Sequence, residues 1–157
     1  MKAKNKLIRE QIEAKLNQFA TVSSVERPAV GWLSVVRKTL GMSLRQAAVR
    51  MDISSQGVKQ LETRERDESI TLKSLREAGQ ALGLKLVYGF VPIEESLEAM
   101  IEQRAIEKAT EIVQRTSHTM ALENQKKSAD RLQKAIEEKA FELKLTLPRY
   151  LWDITTT

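Results

Sequence analysis

The sequence contains no cysteine, and only one of its 157 residues is a histidine. The lack of cysteine excludes a disulfide framework, a thiolate zinc site and thiol catalysis, and it fits a reducing compartment. No apolar run approaches the roughly 20 residues that a membrane-spanning helix needs. The first residues, MKAKNKLIREQIEAKL, are charged throughout, unlike a signal sequence. We therefore expect a cytoplasmic protein without a membrane segment.

Residues for catalysis and metal binding are equally scarce. The sequence has no glycine-rich phosphate loop and no spacing typical of a metal site. His118 stands beside a threonine, and a lone histidine on a helix is far more often a surface or interface residue than a catalytic one. We therefore predict that the protein is not an enzyme and has no catalytic residue, no metal and no cofactor.

The net charge of +5 is distributed unevenly along the chain. Residues 1–92 hold 16 lysines and arginines against 9 acidic residues, a net charge of +7, whereas residues 93–157 hold 10 against 12, a net charge of −2. A basic segment suits a polyanion, most often nucleic acid, and a nearly neutral one suits contact with protein. The alternative is that the lysines near the start only solvate a surface helix. We predict two modules, 1–92 and 93–157.

Hydrophobic residues recur at helical spacing over most of the chain, which predicts a mainly α fold. An amphipathic helix is expected in KNKLIREQIEAKLNQFA. A second helix is expected after Pro28, with Gly41 just past its end. The residues expected on its buried face are Trp32, Val35, Val36 and Leu40.

The segment MSLRQAAVRMDISSQGVKQLETRE predicts two short helices with almost nothing between them. Ser43 and Gln46 form a capping box for the first helix, and Ser54 is a natural N-cap for the second. Only Asp52 and Ile53 separate the two, and the alanine pair of QAAV permits a close, steep crossing. This arrangement is a helix-turn-helix, which the following helix in SITLKSLREAGQALG is expected to cover.

In helix-turn-helix proteins the second helix enters the major groove of DNA, and the flanking residues contact phosphates. Glutamine can bind an adenine edge in bidentate fashion, lysine favours guanine, and a glycine permits close approach. The predicted base-reading residues are Ser55, Gln56, Gly57 and Lys59. The predicted phosphate contacts are Ser43, Arg45 and Arg64, with Arg37 and Lys38 as further candidates. The alternative is that this helical cluster is only a packed core.

MSLRQAAVRMDISSQGVKQLE resembles the Xre/Cro-like helix-turn-helix of phage repressors and bacterial regulators, over roughly residues 30–83. That family usually has a glycine in the turn where this sequence has Asp52, a residue type that tolerates the left-handed conformation. The resemblance implies a transcription repressor that binds double-stranded operator DNA.

LKLVYGFVP is rich in strand formers and ends in a proline, so it reads as one short strand. No other strand pattern occurs in the sequence, and a lone strand cannot satisfy its own backbone groups. We predict that it pairs with the same strand of a second copy and forms a homodimer, the alternative being a strand of a different protein. The predicted dimer-strand residues are Leu84, Leu86, Val87, Tyr88 and Phe90.

From Glu94 onward, helical spacing returns and lasts to about Gln125, and a second helix in SADRLQKAIEEKAFELKL completes a helical hairpin. The tail TLPRYLWDITTT is expected to dock on this hairpin or to fray. Near the end of the first helix, Thr119 and Glu123 lie one turn apart, and Asn124 follows. Glu123 falls where the apolar stripe would continue, and a carboxylate on a contact face requires a cationic partner. The alternative is that Glu123 is a solvated helix charge.

TMALEN is similar to the inhibitory motif of Fic-domain regulation, (Ser/Thr)-x-x-x-Glu-(Gly/Asn), which one class of Fic proteins receives from a separate antitoxin. The whole chain also resembles the family called mobile mystery protein A, in the segments KLIREQ, GWLSVVRKTLGMSLRQAA, ITLKSLREAGQALGLKLVYGFVP, ESLEAMIE, HTMALE and LPRYLWD. Its members are Xre-type proteins encoded beside a Fic-domain partner. The resemblance implies Thr119, Glu123 and Asn124 as the inhibitory residues and a Fic adenylyltransferase toxin as the partner.

Two functions follow from these patterns. The leading hypothesis is an antitoxin that binds DNA as an autorepressor and inhibits adenylylation by its Fic partner, with Glu123 against the arginine that would bind the ATP γ-phosphate. The second is a plain Xre-family transcription regulator whose C-terminal helical hairpin serves only dimerisation.

Overall fold

The structure, a computed structural model, describes residues 2–117 and 125–154 and is mainly helical, as predicted. Seven α-helices and two short 3₁₀ helices are present in these residues, and no strand is assigned among them. The α-helices are α1 Lys2–Asn17, α2 Trp32–Thr39, α3 Leu44–Met51, α4 Ser55–Arg66, α5 Leu72–Ala81, α6 Leu97–Ser117 and α7 Gln125–Thr146. The 3₁₀ helices are Val22–Ser24 and Arg149–Trp152.

The chain forms two compact units. One is Ala20–Gly89, which contains α2 to α5. The other combines Met1–Phe19 with Phe90–Thr157, and so joins α1 to α6 and α7. This division differs from the expected 1–92 and 93–157 in the position of the first helix.

The reason for this difference is the contact between α1 and the start of α6. Glu13 Oε1 accepts a hydrogen bond of 3.1 Å from the backbone N–H of Leu97, the first residue of α6. The guanidinium of Arg9 lies 3.9 Å from the carboxylate of Glu98. Because the first N–H groups of a helix have no partner within it, an acceptor on α1 stabilises the beginning of α6.

The Ala20–Gly89 unit has one hydrophobic core, to which α2, α3, α4 and α5 all contribute. The buried residues are Leu33, Ala47, Ala48, Val58, Ala78 and Leu82. The alanine pair of α3 is buried as predicted and permits the close approach of α3 and α4. Burying a side chain such as Leu33 or Val58 contributes roughly 1.5–3 kcal/mol.

The prediction for the buried face of α2 is wrong at two of its four residues. Trp32 and Leu40 are exposed, Val35 and Val36 are partly buried, and Leu33, Ser34 and Arg37 are buried. The helix is rotated relative to the expected face because the side chain of Arg37 is paired inside the unit and does not extend into solvent.

The C-terminal helices form the predicted hairpin. Lys144 Nζ, near the end of α7, lies 3.4 Å from a carboxylate oxygen of Glu98 and 3.6 Å from one of Glu102, both near the start of α6. The two helices are therefore antiparallel. Their buried residues form a second core: Ala105, Ala109, Ala140, Leu143 and Leu151.

The tail docks on this hairpin. Of the two expectations for the tail, docking is therefore the correct one for the residues up to Ile154. Leu151 is fully buried. Arg104 donates hydrogen bonds of 2.7 Å to the carbonyl oxygens of Leu151 and Asp153. Lys108 Nζ donates to the same carbonyl of Asp153 at 3.3 Å. Across the described ranges, no helix is both long and apolar enough to span a membrane.

Candidate nucleic-acid interface

The N-termini of α3 and α4 are fixed by the side chains that the sequence predicts. Ser43 Oγ accepts the backbone N–H of Gln46 at 3.1 Å, and Gln46 Oε1 accepts the N–H of Ser43 at 2.8 Å. Ser54 Oγ accepts the N–H of Gly57 at 2.9 Å. Each cap is worth typically about 1 kcal/mol. The beginning of α4, where base-reading residues are expected, is thus rigidly defined.

The turn between α3 and α4 consists of residues 52–54. Asp52 has φ +54° and ψ +44°, the left-handed conformation expected at this position. The N–H of Ile53 donates to the carbonyl of Ala48 at 3.1 Å and closes the end of α3. Val58, in the first turns of α4, is buried against the core, whereas Ile53 is exposed.

Arg37 holds α4 against α2. Its guanidinium donates hydrogen bonds to both carboxylate oxygens of Glu62 and, at 2.9 Å, to the carbonyl of Met42. Only 8% of Arg37 is exposed, and the hydrogen bond that its guanidinium donates to Glu62 is the main cause of its raised pKa. Arg37 is therefore not free to contact phosphate, which corrects its inclusion among the further candidates.

Glu65 makes a second connection between α4 and α2. Although 95% buried, its carboxylate accepts the backbone N–H groups of Trp32 and Leu33, each at 2.8 Å. It therefore caps α2 from a distant position in the sequence. Gly31, with φ +87°, leaves room for this carboxylate, because a Cβ at position 31 would lie 2.9 Å from Glu65 Oε2.

One exposed face of α4 brings together residues predicted for base reading and for phosphate contact. A shallow depression along the helix is lined by Gln56, Lys59, Gln60, Thr63 and Arg64. Gln60 and Thr63 were not predicted. Their sequence signal is the helical spacing of four and seven residues from Gln56, which places all three on one side of the helix.

A second depression lies between the end of α3 and the start of α4, and it brings Arg45 close to Ser55. Both side chains are exposed, as is that of Lys38 at the end of α2. Ser43 uses its oxygen as the acceptor of the α3 cap, which leaves its hydroxyl hydrogen free to serve as a donor.

Gly57 has a structural reason to be a glycine. A Cβ at this position would lie 3.3 Å from Ile53 Cδ1 and equally far from Ser54 Oγ, closer than most packed side chains come. The turn itself therefore restricts the size of residue 57, whether or not DNA approaches it.

The charge of the two units differs less than the charge of the two predicted modules. Residues 20–89 hold 11 lysines and arginines against 7 acidic residues, a net charge of +4, and the remaining residues hold 15 against 14, a net charge of +1. The difference in net charge is smaller because the lysines and the arginine of α1 belong to the unit that also contains α6 and α7. Within the first unit, Glu62 and Glu65 are paired internally, so the excess of exposed positive charge remains.

Among the residues that the structure describes, the predicted dimer-strand residues have no strand partner in the single chain. Val87, Tyr88 and Phe90 are 68%, 60% and 80% exposed, Leu84 is exposed and Leu86 is partly buried. An unpaired segment of one chain cannot be assigned as a strand, so pairing across a dimer stays a prediction.

The predicted Fic-inhibitory residues Thr119, Glu123 and Asn124 lie outside the described residues, as does His118; α6 is described as far as Ser117. Within the described part of the chain, no group of histidine and acidic residues could hold a metal ion. No protein-family model, no curated protein and no solved structure matches this chain.

Proposed function

We propose that this protein is a cytoplasmic antitoxin with two binding functions: it represses its own operon as a DNA-binding homodimer, and it silences a Fic-type adenylyltransferase. The observation that carries the first function is the exposed face of α4, where Gln56, Lys59 and Arg64 are close together and the helix N-terminus is firmly capped. The second function rests on the sequence TMALEN and on the resemblance that includes it.

On DNA, α4 would lie in the major groove with Ser55 and Gln56 towards base edges. The amide of Gln56 suits the N6 and N7 groups of adenine, and Lys59 suits the acceptors of guanine. Arg45 and Ser43 would contact phosphates from the side of α3, and Arg64 from the far end of α4. Gln60 faces the same depression as Gln56 and is a further candidate for base contact.

The DNA-binding function is tested by titrating the purified protein with its own promoter fragment at several salt concentrations. We expect specific binding at low salt that weakens steeply as salt rises, with a logarithmic slope of about −0.9 per phosphate contacted. A fragment of unrelated sequence is the control. Failure to bind the promoter at low salt would remove the repressor function from the proposal.

For the adenylyltransferase, inhibition would follow from electrostatics. Glu123 would pair with the arginine that otherwise binds the γ-phosphate of ATP, and the nucleotide would then bind without its productive orientation. Nucleotidyl transfer depends on such positioning and charge stabilisation, so one carboxylate at this point is enough to suppress it. In the sequence, Thr119 precedes Glu123 by four residues and Asn124 follows it.

This function is tested by measuring adenylylation with labelled ATP by a Fic protein encoded beside this chain. The reaction is run with no addition, with the wild-type chain and with the Glu123→Gly variant. We expect suppression by the wild type that the variant loses while it still forms the complex. Suppression by both proteins would move inhibition to another contact, and suppression by neither would leave a DNA-binding protein.

The second candidate function is a plain transcription regulator that dimerises through the C-terminal hairpin. It is favoured by the apolar side chains that α6 and α7 expose, among them Ile106 and Phe141. An adjacent reading frame with a Fic motif favours the antitoxin, and its absence favours the plain regulator.

A further inference from the structure

Asp52, in the turn between α3 and α4, carries a charge that the turn does not use. The residue is exposed, and its carboxylate forms no hydrogen bond or ion pair with any group that the structure describes. The hydroxyl of Ser54, and not this carboxylate, accepts the N–H of Gly57 at the start of α4. The turn therefore forms without a contribution from the charge of residue 52.

The backbone conformation of the turn does not require an acidic residue either. Asp52 has φ +54° and is the C-cap of α3, where its N–H donates to the carbonyls of Ala48 and Val49. Glycine and asparagine also adopt this left-handed conformation, and neither carries a charge. A carboxylate at the end of a helix also meets the negative end of the helix dipole, which lowers stability. A residue that is locally unfavourable and has no compensating bond is typical of a functional position.

The surroundings of Asp52 are those of the candidate nucleic-acid interface. It lines the depression between the end of α3 and the start of α4, together with Arg45 and Ser55. Arg45 is a proposed phosphate contact and Ser55 a proposed base reader, so a bound duplex would bring phosphates near this carboxylate. Among the residues described, neither Arg45 nor Asp52 takes part in an ion pair, so the negative charge is not neutralised by the arginine.

We propose that Asp52 is an affinity-limiting residue of the DNA interface, whose charge repels the phosphates beside Arg45 and weakens binding to every sequence. This inference rests on the proposed operator binding. Because phosphates carry the same charge in every sequence, the repulsion is uniform. Binding through phosphates alone is then kept weak, and a stable complex also requires base contacts such as those proposed for Gln56.

The test compares the DNA affinity of the wild-type 157-residue chain with that of its Asp52→Asn variant. Asparagine has nearly the same shape and tolerates the left-handed conformation, so the substitution removes only the charge. Each protein is titrated with its own promoter fragment and with a fragment of unrelated sequence. The ionic strengths are about 0.01 M and about 0.1 M, between which the Debye length falls from about 30 Å to about 10 Å. We expect the variant to bind both fragments about two- to fivefold more tightly at the lower ionic strength, and the gain to shrink at the higher one.

Glu77→Gln is the matched control, because it changes the net charge by the same amount at another position of the same unit. Glu77 is exposed on α5 and lines neither depression of the interface. We expect this variant to bind both fragments with the affinity of the wild type. Thermal unfolding checks the fold, and Asp52→Asn should be at least as stable as the wild type because an unfavourable charge at the end of α3 is removed.

The outcomes separate the role of Asp52 from the proposed function. Unchanged affinity in Asp52→Asn, or an equal gain in Glu77→Gln, would overturn this role and leave operator binding intact. Weaker binding, or a gain confined to the promoter fragment, would also overturn it, because the carboxylate would then take part in reading the sequence and would not act as a uniform repulsive charge. No binding of the promoter by the wild type at either ionic strength would overturn the repressor function and this role together.

Discussion

At the residue scale, the charged side chains of the Ala20–Gly89 unit belong to two groups that the sequence alone does not distinguish. Arg37 of α2 and the α4 residues Glu62 and Glu65 form hydrogen bonds that connect these two helices inside the unit. Arg45 is exposed beside the start of α4, and Arg64 is exposed in its last turn. Only the second group is available to a ligand, and the two kinds of role predict different effects of substitution.

For the exposed side chains, we predict that substitution of a base-reading residue and substitution of a phosphate contact affect DNA binding differently. Replacing Gln56 by alanine should cost about 1–3 kcal/mol on the operator and relax the preference at one base position, because a bidentate contact to a base edge is lost. Replacing Arg45 by alanine should weaken binding to all sequences alike, because phosphates are the same everywhere. Titration against a set of single-base operator variants measures both. A uniform loss from Gln56→Ala would contradict its role as a base reader.

For the internally hydrogen-bonded side chains, we predict that substitution lowers the stability of the fold. Replacing Glu65 by alanine leaves the buried N–H of Leu33 and the partly buried N–H of Trp32 without their acceptor, at a cost of about 1–3 kcal/mol in the free energy of unfolding. Urea denaturation measures the change. Glu68→Ala is the control, because the carboxylate of Glu68 is 75% exposed and its pairing with Arg27 is worth little. Equal effects of the two substitutions would contradict the capping role of Glu65.

At the scale of the secondary-structure element, the sequence predicts the features that depend on contacts between residues close together in the chain. The caps of α3 and α4 and the left-handed Asp52 involve residues within four positions of each other, so the local pattern is sufficient to identify them. The buried face of α2 depends on Glu62, 25 residues after Arg37, and an arginine is normally expected at the surface. Similarly, the position of α1 depends on Glu13 and Leu97, 84 residues apart, and no local pattern signals that contact.

The contact between α1 and α6 gives a prediction at this scale. Glu13→Ala removes the acceptor of the Leu97 N–H and should lower the stability of the unit that contains α6 by about 1 kcal/mol, without changing affinity for DNA. Thermal unfolding and an operator titration measure the two quantities. Glu10→Ala is the matched control on the same helix, because Glu10 is exposed and its ion pair with Lys6, at 3.9 Å, is worth little. A loss of DNA affinity from Glu13→Ala alone would contradict the assignment of α1 to the second unit.

The segment LKLVYGF gives a second prediction for an element. In a twofold antiparallel pair of residues 84–90, the central residue Val87 faces Val87 of the second copy. Val87→Glu would place two like charges directly opposite each other, so we expect the dimer to dissociate. Sedimentation velocity measures this, with Ile93→Glu, a fully exposed position outside the segment, as the control. An unchanged sedimentation profile for Val87→Glu would leave strand pairing without support.

At the scale of the whole molecule, the order of the units along the chain differs from a simple succession of two domains. Residues 20–89 are inserted between the two segments of the other unit. The proposed DNA-binding residues on α4 all belong to the inserted unit. Glu13 and residues 90–157 belong to the other. A basic unit with an exposed polar helix and a nearly neutral unit with exposed apolar side chains are suited to different classes of partner.

This separation leads to a prediction about the two proposed functions. Because Gln56 and Glu123 belong to different units and share no proposed ligand, substitutions at the two positions should act independently. Gln56→Ala should weaken operator binding and leave inhibition of the adenylyltransferase unchanged, and Glu123→Gly should do the reverse. In the double variant each loss should equal that of the corresponding single variant, within about 0.5 kcal/mol in binding free energy. The operator titration and the adenylylation assay, run on all four proteins, measure this. A larger interaction term would mean that one ligand changes the affinity for the other, and operator occupancy would then depend on the amount of free toxin.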